Sequence, residues 1–391
     1  LRLVAAFTVG REQIDLKEDL DALDDVWPEL AAEVTRAKEL LAAGGAKERS
    51  MGLTTIEKAL ELQKADVLKK ASTEDLAHMG LIEVVRELPK IRRIMYRLVD
   101  EAEKRRPAAA VLVDSPDFNL RLAARLRKFG IPVVLYVSPQ LWAWRRGRVR
   151  TVRRLAREVL CILPFEVGFY ETHGVRARFV GHPLVDEIDR VGLFNRMSEP
   201  TSGKVALLPG SRAMEVRQLL PVMLETLRGM AGSAVAEAVL VEAPGMAREV
   251  EAIVAEHGGD PRLRRVAGEG RRHELASSEL AWTASGTATL ECTLLDVPMV
   301  VGYRLQPLSY AIAKLLVRVP NVALVNLIAG RTVVPELLQK AWNPDRLSAV
   351  TSKLLEDGTN TRHAGLAEAR SRLGSPGASR KAAEAVAEYL R

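Results

Sequence analysis

Cysteine is nearly absent. Cys161 and Cys292 are the two in 391 residues, isolated in apolar surroundings, which excludes a disulfide framework and a CxxC metal site. Histidine is scarce as well: there are six, none in a ligand-spaced pair, so no histidine metal centre is expected. The Asp19-Leu20-Asp21 triplet sits in an acidic, helix-like run with no strand before it and reads as a solvated face. Aromatic residues make up 5% and no nucleic-acid-binding motif accompanies the basic residues, so nucleic acid is not an expected partner. No apolar run approaches the roughly eighteen residues of a membrane span. No signal-peptide pattern is visible, and the cytoplasm is the expected location.

What remains is ample apolar content, 48% of the chain, enough for a large core in two or three domains. The net charge of +7 is uneven, with seven arginines in the thirteen residues from Arg145 to Arg157. A second basic set, Arg86 to Arg106, is interleaved with Leu88, Ile91, Ile94, Met95 and Leu98. Each run is either a solvated helix face or an attraction to an anionic lipid surface or a phosphorylated substrate.

Strand-like and helix-like runs alternate in two blocks, which predicts parallel α/β architecture. The first block has strands at Ala109 to Asp114, Val133 to Val137, Val159 to Leu163 and Arg178 to Val180, with a helix from Asn119 to Phe129 stopped by Gly130. The second has strands at Lys204 to Leu208, Ala238 to Glu242, Leu263 to Ala267, Leu280 to Thr283 and Pro298 to Tyr303, separated by helices such as Val216 to Met230 and Met246 to Glu256. Glu199-Pro200-Thr201-Ser202-Gly203 reads as an interdomain linker. Two Rossmann-like domains facing each other across a cleft would bring ligand-binding strand ends to both walls.

The strand ends carry the chemistry. Ala284-Ser285-Gly286-Thr287-Ala288-Thr289-Leu290-Glu291 is a strand running into a helix whose small, hydroxyl-rich first turn can hold a diphosphate on its N–H groups, with Glu291 placed for a ribose. The same octapeptide also fits a simple Ser/Thr cap on a packing helix. Asp114-Ser115-Pro116-Asp117-Phe118-Asn119 offers a general base or merely a helix cap. In Pro209-Gly210-Ser211-Arg212, Gly210 permits close backbone approach, and Arg212 either neutralises a leaving phosphate or lies on the surface. Trp142 and Trp144, after Tyr136-Val137-Ser138-Pro139, fit core anchors. His182 fits a structural hydrogen bond at a strand end.

Together these segments resemble one family. The Val113 to Asn119 turn, Tyr136-Val137-Ser138-Pro139 with Trp142-Ala143-Trp144-Arg145, Leu163-Pro164-Phe165-Glu166 and Gly181-His182-Pro183 follow in its order. So do Leu207 to Arg212, Ala284 to Glu291, Met299 to Arg304 and Asn326-Leu327-Ile328-Ala329-Gly330-Arg331. Eight motifs in order make the resemblance to lipid-A-disaccharide synthases specific. It runs from about Asp75 to the C-terminus.

The resemblance implies a GT-B fold: an N-terminal acceptor domain over residues 75–198, a UDP-sugar domain over 203–372, and a C-terminal helix in 373–391 returning to the first. It implies transfer of 2,3-diacylglucosamine from UDP-2,3-diacylglucosamine to the 6-hydroxyl of 2,3-diacylglucosamine 1-phosphate, with inversion, giving a β-1,6 disaccharide and UDP. Asp114, Arg212 and Asn326 would be catalytic. Gly210, Ser211, Arg212, Ser285, Gly286, Thr287 and Glu291 would bind UDP. Asp117, Asn119, Trp142 and Trp144 would lie on the acceptor and lipid side. No metal or other cofactor is implied; the partners are the two lipid substrates, an anionic inner-membrane surface holding the protein peripherally, and a second copy as a homodimer. Leu305 to Leu327, with Leu308, Ile312, Leu315 and Leu316 opposite Lys314 and Arg318, would cover acyl chains or form a core helix. The other readings are a different UDP-sugar enzyme of this architecture, such as an N-acetylglucosaminyltransferase or a 2-epimerase, or a non-catalytic nucleotide- or lipid-binding relative.

The sequence departs from the family in its first 74 residues. The family's first turn reads approximately Ala-Gly-Glu-Ala-Ser-Gly-Asp, and the nearest match is Phe7-Thr8-Val9-Gly10-Arg11-Glu12-Gln13-Ile14-Asp15. Either the first βαβ unit is replaced, or the frame is shifted or wrongly started upstream of about Asp75. Ala213-Met214 after Arg212, and Val325 before the asparagine, are lesser departures.

Overall fold

The computed structural model describes residues 3–6, 81–143, 146–195, 199–268, 270–305, 310, 319–356 and 360–389. Trp144, Arg145, the Phe7 to Asp15 stretch, residues 16–74 and the apolar face built on Leu308, Ile312, Leu315 and Leu316 lie outside them. The chain forms two units, Leu1–Pro183 with Pro376–Arg391, and Leu184–Ser375.

In the first unit a five-stranded parallel sheet runs in chain order: β1 (Leu3–Ala6), β2 (Ala109–Val113), β3 (Val133–Tyr136), β4 (Glu158–Cys161) and β5 (Ala177–Phe179). The strands are apolar nearly throughout because helices cover both faces. Side chains alternate across the sheet. Ala110, Leu112, Val133, Leu135, Val159 and Cys161 share a core with Met95 and Ala102 of α1 (Leu81–Arg105). Phe118, Leu122 and Leu126 of α2 (Pro116–Leu126), Val149 and Val152 of α3 (Val149–Leu155), and Tyr170 of α4 (Pro164–Glu171) complete it. Val111, Val134, Tyr136, Leu160 and Val180 form a second core with Ala382, Ala383, Ala385 and Val386 of the last helix, Ala378–Ala387. Gly181 makes room for that helix: at φ +95°, an added Cβ would lie 3.2 Å from Ala378 Cβ. Arg178 ties its far end, meeting Glu388 at 2.7 Å and Glu158 at 3.1 Å.

The second unit opens with α5 (Pro183–Arg190), whose first residue belongs to the other unit, and holds a six-stranded parallel sheet. Its strands are β6 (Thr201–Leu208), β7 (Glu237–Val241), β8 (Leu263–Val266), β9 (Ser278–Ala284), β10 (Met299–Tyr303) and β11 (Glu336–Leu338), in the order β11-β10-β9-β6-β7-β8. One face packs on α6 (Ala213–Gly229), α7 (Ala247–Glu256) and, beyond α8 (Arg271–Ala276), on residues of Pro344–Glu356. Trp282 Nε1 donates to Thr351 Oγ1 at 2.9 Å there. On the other face α9 (Thr287–Leu294) meets α10 (Leu324–Ala329) and the helix Asn360–Leu373.

The expected linker is not a linker. Thr201 and Ser202 begin β6, Thr201 N–H bonds Ser277 C=O at 2.9 Å, and Gly203 N–H bonds the Glu279 carboxylate at 2.6 Å. Polar side chains there are solvated while the backbone pairs, so composition misleads. The division falls instead at Pro183, ahead of the buried Leu184, Val185 and Ile188 of α5.

Candidate active site

Sheet order locates the site in the second unit. From β6 the chain steps outward through β7 and β8, then returns to the opposite side of β6 with β9. The order therefore reverses between β6 and β9, and ligands bind at the carboxyl ends of strands at such a switch point. The register pairs Leu208 with Thr283. The Pro209 to Arg212 and Ser285 to Thr287 turns thus leave neighbouring strand ends together.

Both turns use glycine because their backbone lies at positive φ, where L side chains are strained. Gly210 has φ +118° and a Cβ on it would lie 2.6 Å from Glu215 Oε2; Gly286, at φ +137°, precedes the first residue of α9. The N–H groups of Gly286, Thr287 and Ala288 have no intrahelical acceptor and sit at the positive end of the helix dipole. Ser211, Arg212 and Thr287 are exposed. Arg212 lies at the N-terminus of α6 and meets Glu215 at 2.9 Å.

Other expected ligand groups have prior engagements. Ser285 donates its hydroxyl to Val322 C=O at 2.9 Å and its N–H to Gly302 C=O at 3.1 Å. Glu291 is buried, and Arg272 Nε reaches its Oε1 at 2.7 Å while the same guanidinium bonds Glu187 at 2.8 Å. Asn326 is wholly buried and fully subscribed. Its amide donates to Val334 C=O at 3.0 Å and Glu336 Oε1 at 2.8 Å, and its Oδ1 accepts from Val333 N–H at 2.7 Å and Val334 N–H at 3.0 Å. All four hydrogen-bond positions of the side chain are used, so the catalytic role expected of Asn326 has no free atom behind it here. In this geometry it holds the Val333 and Val334 backbone and the Glu336 carboxylate. Glu336, which sequence reasoning missed, also accepts from Val322 and Ala323 N–H at 3.0 Å and so links Asn326 to the Ser285 turn.

In the first unit the candidate residues cluster where β2 and β3 end, paired through Val113 and Tyr136. Asp114 and Ser115 have φ +51° and +39°, and Val137 has φ +62°. Three non-glycine residues in the left-handed region on adjacent strand ends store strain of about 1–3 kcal/mol each, a feature of functional sites. Asn119 pins the turn, its amide donating to Val113 C=O at 2.9 Å and Asp114 C=O at 2.6 Å. It is fully buried and therefore shapes the turn rather than meeting an acceptor. The Asp114 side chain keeps solvent access. Desolvation by the surrounding protein nevertheless raises its pKa above the usual carboxylate range, against a smaller opposing pull from the Ser115 N–H. Asp117 is bound by Arg148.

Trp142 takes the core-anchor position. It is buried, donates Nε1 to Glu166 Oε1 at 3.0 Å and meets Phe165 edge to face at 4.8 Å. Tyr170 Oη donates to Pro139 C=O at 2.6 Å. The acceptor-side role expected of Trp142 therefore gives way to a clamp: helix α4 holds the loop that follows the strained Val137. Burial raises the pKa of Glu166. The tryptophan and the Leu163 to Glu166 motif were each legible in sequence; their pairing was not. Burial also pushes both cysteine thiols up, which removes them as nucleophiles at neutral pH.

The family model described as lipid-A-disaccharide synthetase matches residues 33–389, starting upstream of the motif resemblance. The lipid-A-disaccharide synthase of Anaeromyxobacter dehalogenans (strain 2CP-C) is 45% identical over 342 residues, 84% of this chain and 88% of its own. That of Myxococcus xanthus is 42% identical over 371 residues, 91% and 94% of the two chains. Among solved structures, S. aureus MnaA with UDP has a TM-score of 0.53 at 12% identity, covering 77% of this chain and 82% of that one. A Neisseria meningitidis UDP-GlcNAc 2-epimerase bound to UDP-GlcNAc has 0.51 at 11%, covering 76% and 82%. At such identities the structural likeness is one of fold.

Proposed function

The chain belongs to the lipid-A-disaccharide synthase family, glycosyltransferases of GT-B fold that form the lipid A disaccharide, and from that premise we propose its substrates and the roles of its residues. The donor is UDP-2,3-diacylglucosamine and the acceptor 2,3-diacylglucosamine 1-phosphate. The observation that carries the nucleotide half is the pairing of two glycine turns at the β6/β9 switch point, one bearing Arg212 and the other the free N–H groups of α9.

In the proposed reaction the Asp114 carboxylate takes the proton of the acceptor 6-hydroxyl as its oxygen attacks the donor's anomeric carbon. The bond from that carbon to the β-phosphate oxygen breaks, its electron pair leaves with UDP, and the centre inverts. Arg212 and the Gly286, Thr287 and Ala288 N–H groups stabilise the charge gathering on the diphosphate. Glu291, held by Arg272, presents its carboxylate to the ribose. The test is turnover of the two acylated substrates, followed by UDP release, beside unacylated UDP-N-acetylglucosamine. Disaccharide from the acylated pair supports the reading. Conversion of the unacylated sugar alone favours an epimerase-type enzyme, and UDP binding without turnover favours a non-catalytic relative.

Gly210→Ala is expected to weaken UDP binding about tenfold or more by calorimetry, since its Cβ would collide with Glu215 and φ +118° is strained for alanine. Unchanged affinity would remove the Pro209 to Arg212 turn from the nucleotide site.

The substrates being lipids, we place the protein at the cytoplasmic face of the inner membrane as a peripheral homodimer. No helix of the described residues is long and apolar enough to cross a membrane, and the arginine run supplies the attraction. Co-sedimentation with phosphatidylglycerol vesicles is expected at about 0.01 M salt and should be lost near 1 M, as the Debye length shrinks from about 30 to 3 Å. Retention in the supernatant at low salt would contradict it. Sedimentation velocity reads the dimer.

A further inference from the structure

The arginine run folds into something more specific than a charged face. Arg146, Arg150 and Arg153 follow one another at intervals of four and three residues, which places them along one side of the turn and helix from Arg146 to Leu155. With Gly147, Val149, Thr172, His173 and Gly174 they line a cavity of about 670 Å³, and among the described residues no carboxylate is in its walls. That volume is ligand-sized.

The three guanidiniums keep donors unspent, unlike arginines held elsewhere in the chain. Arg148 is taken by Asp117, Arg178 by Glu158 and Glu388, Arg217 by Glu249, Arg264 by Glu237 and Glu274, and Arg272 by Glu187 and Glu291. Among the described residues Arg150 and Arg153 have no carboxylate partner, and Arg146 gives its Nε to Trp142 C=O at 3.3 Å. The cavity's other polar side chains are occupied: Thr172 Oγ1 and His173 Nδ1 both bond Phe169 C=O, at 2.9 and 2.7 Å. The walls stay low where a ligand must enter. Gly147 has no atom within 4 Å of an added Cβ, and Gly174 is left-handed at φ +69° with Arg153 Cδ 3.6 Å away. Three cations converging on one space, with donors unspent, are complementary to a multiply charged oxyanion.

We propose that this cavity binds the phosphate group of an anionic lipid through Arg146, Arg150 and Arg153. Two sources share that chemistry: the 1-phosphate of the acceptor, an assignment that rests on the reaction proposed above, and the headgroup phosphate of the surrounding membrane.

The deciding variant is Arg150→Gln with Arg153→Gln, at two exposed positions, compared with Arg127→Gln and Lys128→Gln, which removes the same charge elsewhere on the first unit. Melting temperature verifies that both fold. Two quantities are read: the KM for 2,3-diacylglucosamine 1-phosphate in uncharged detergent micelles, and binding to phosphatidylglycerol against phosphatidylcholine vesicles. The cavity pair is expected to lose about tenfold or more in one of them, from charge-assisted hydrogen bonds to phosphate. A raised KM with vesicle binding kept assigns the acceptor's phosphate; lost vesicle binding with KM kept assigns the membrane headgroup. If neither changes, or if the comparison pair loses as much, the proposal is overturned. If the wild type forms no disaccharide, the reaction proposed above fails. Arginine-dependent binding of glucosamine 1-phosphate by calorimetry, and of the vesicles, still decides the cavity.

Discussion

Replacing Asp114 by asparagine is expected to lower turnover about 10³-fold while leaving UDP affinity within about twofold of wild type. General-base catalysis contributes roughly 10²–10⁴-fold, and UDP is assigned to groups of the second unit. The substitution isolates the chemistry because asparagine tolerates the left-handed region as aspartate does, so φ +51° and the Asn119 bonds to the Val113 and Asp114 carbonyls persist. The pH profile gives an independent reading. A base whose pKa is raised by desolvation stays protonated, and idle, to a higher pH than an ordinary carboxylate near 4. The acid limb of kcat/KM should therefore begin its fall above that range. Near-normal turnover of the variant, or an acid limb at the ordinary position, would remove Asp114 from the base role.

For Asn326→Ala the expected result is a stability loss of about 3 kcal/mol or more. Val333 N–H, Val334 N–H and Val334 C=O lose their partner inside the second unit, and each orphaned buried group costs about 1–3 kcal/mol. For a unit of this size that corresponds to a melting temperature roughly 10 °C lower. UDP affinity should fall as well, because Glu336, which accepts from Val322 N–H, would lose the Asn326 amide that orients it, and Ser285 rests on the Val322 carbonyl. The rate constant per folded, saturated molecule should stay within a few-fold of wild type. Stability held with that constant collapsed would instead return Asn326 to the chemistry.

Residues such as Val205, Leu207, Val239 and Val300 declare their strands because a parallel sheet covered on both faces needs continuous apolar stretches; nearly every strand of both described sheets is legible from them. The misses have local causes. Val137 reads as the end of a strand because it is β-branched, yet its backbone has turned to φ +62° after Tyr136. Strand β11, three residues long at a sheet edge behind Pro335, is too short to show a period. The site's turns announce themselves through Gly210, Gly286 and Pro116, residue types demanded by backbone shape. What those turns lean on stays hidden. Glu291 finds Arg272, Asn326 finds Glu336 and Trp142 finds Glu166 across 10 to 24 residues, and no local pattern encodes which buried polar group meets which.

The helix Ala378–Ala387 has a consequence for how the protein is made. It covers Val111, Val134, Leu160 and Val180 on the first sheet, so the first unit waits for residues translated after the whole of the second. The second unit, continuous from Leu184 to Ser375, has its whole sequence available sooner. Domains ordinarily fold in their order of emergence from the ribosome; here completion runs backwards. Until that helix emerges, one face of the nascent sheet stays bare and sticky, a client for chaperones.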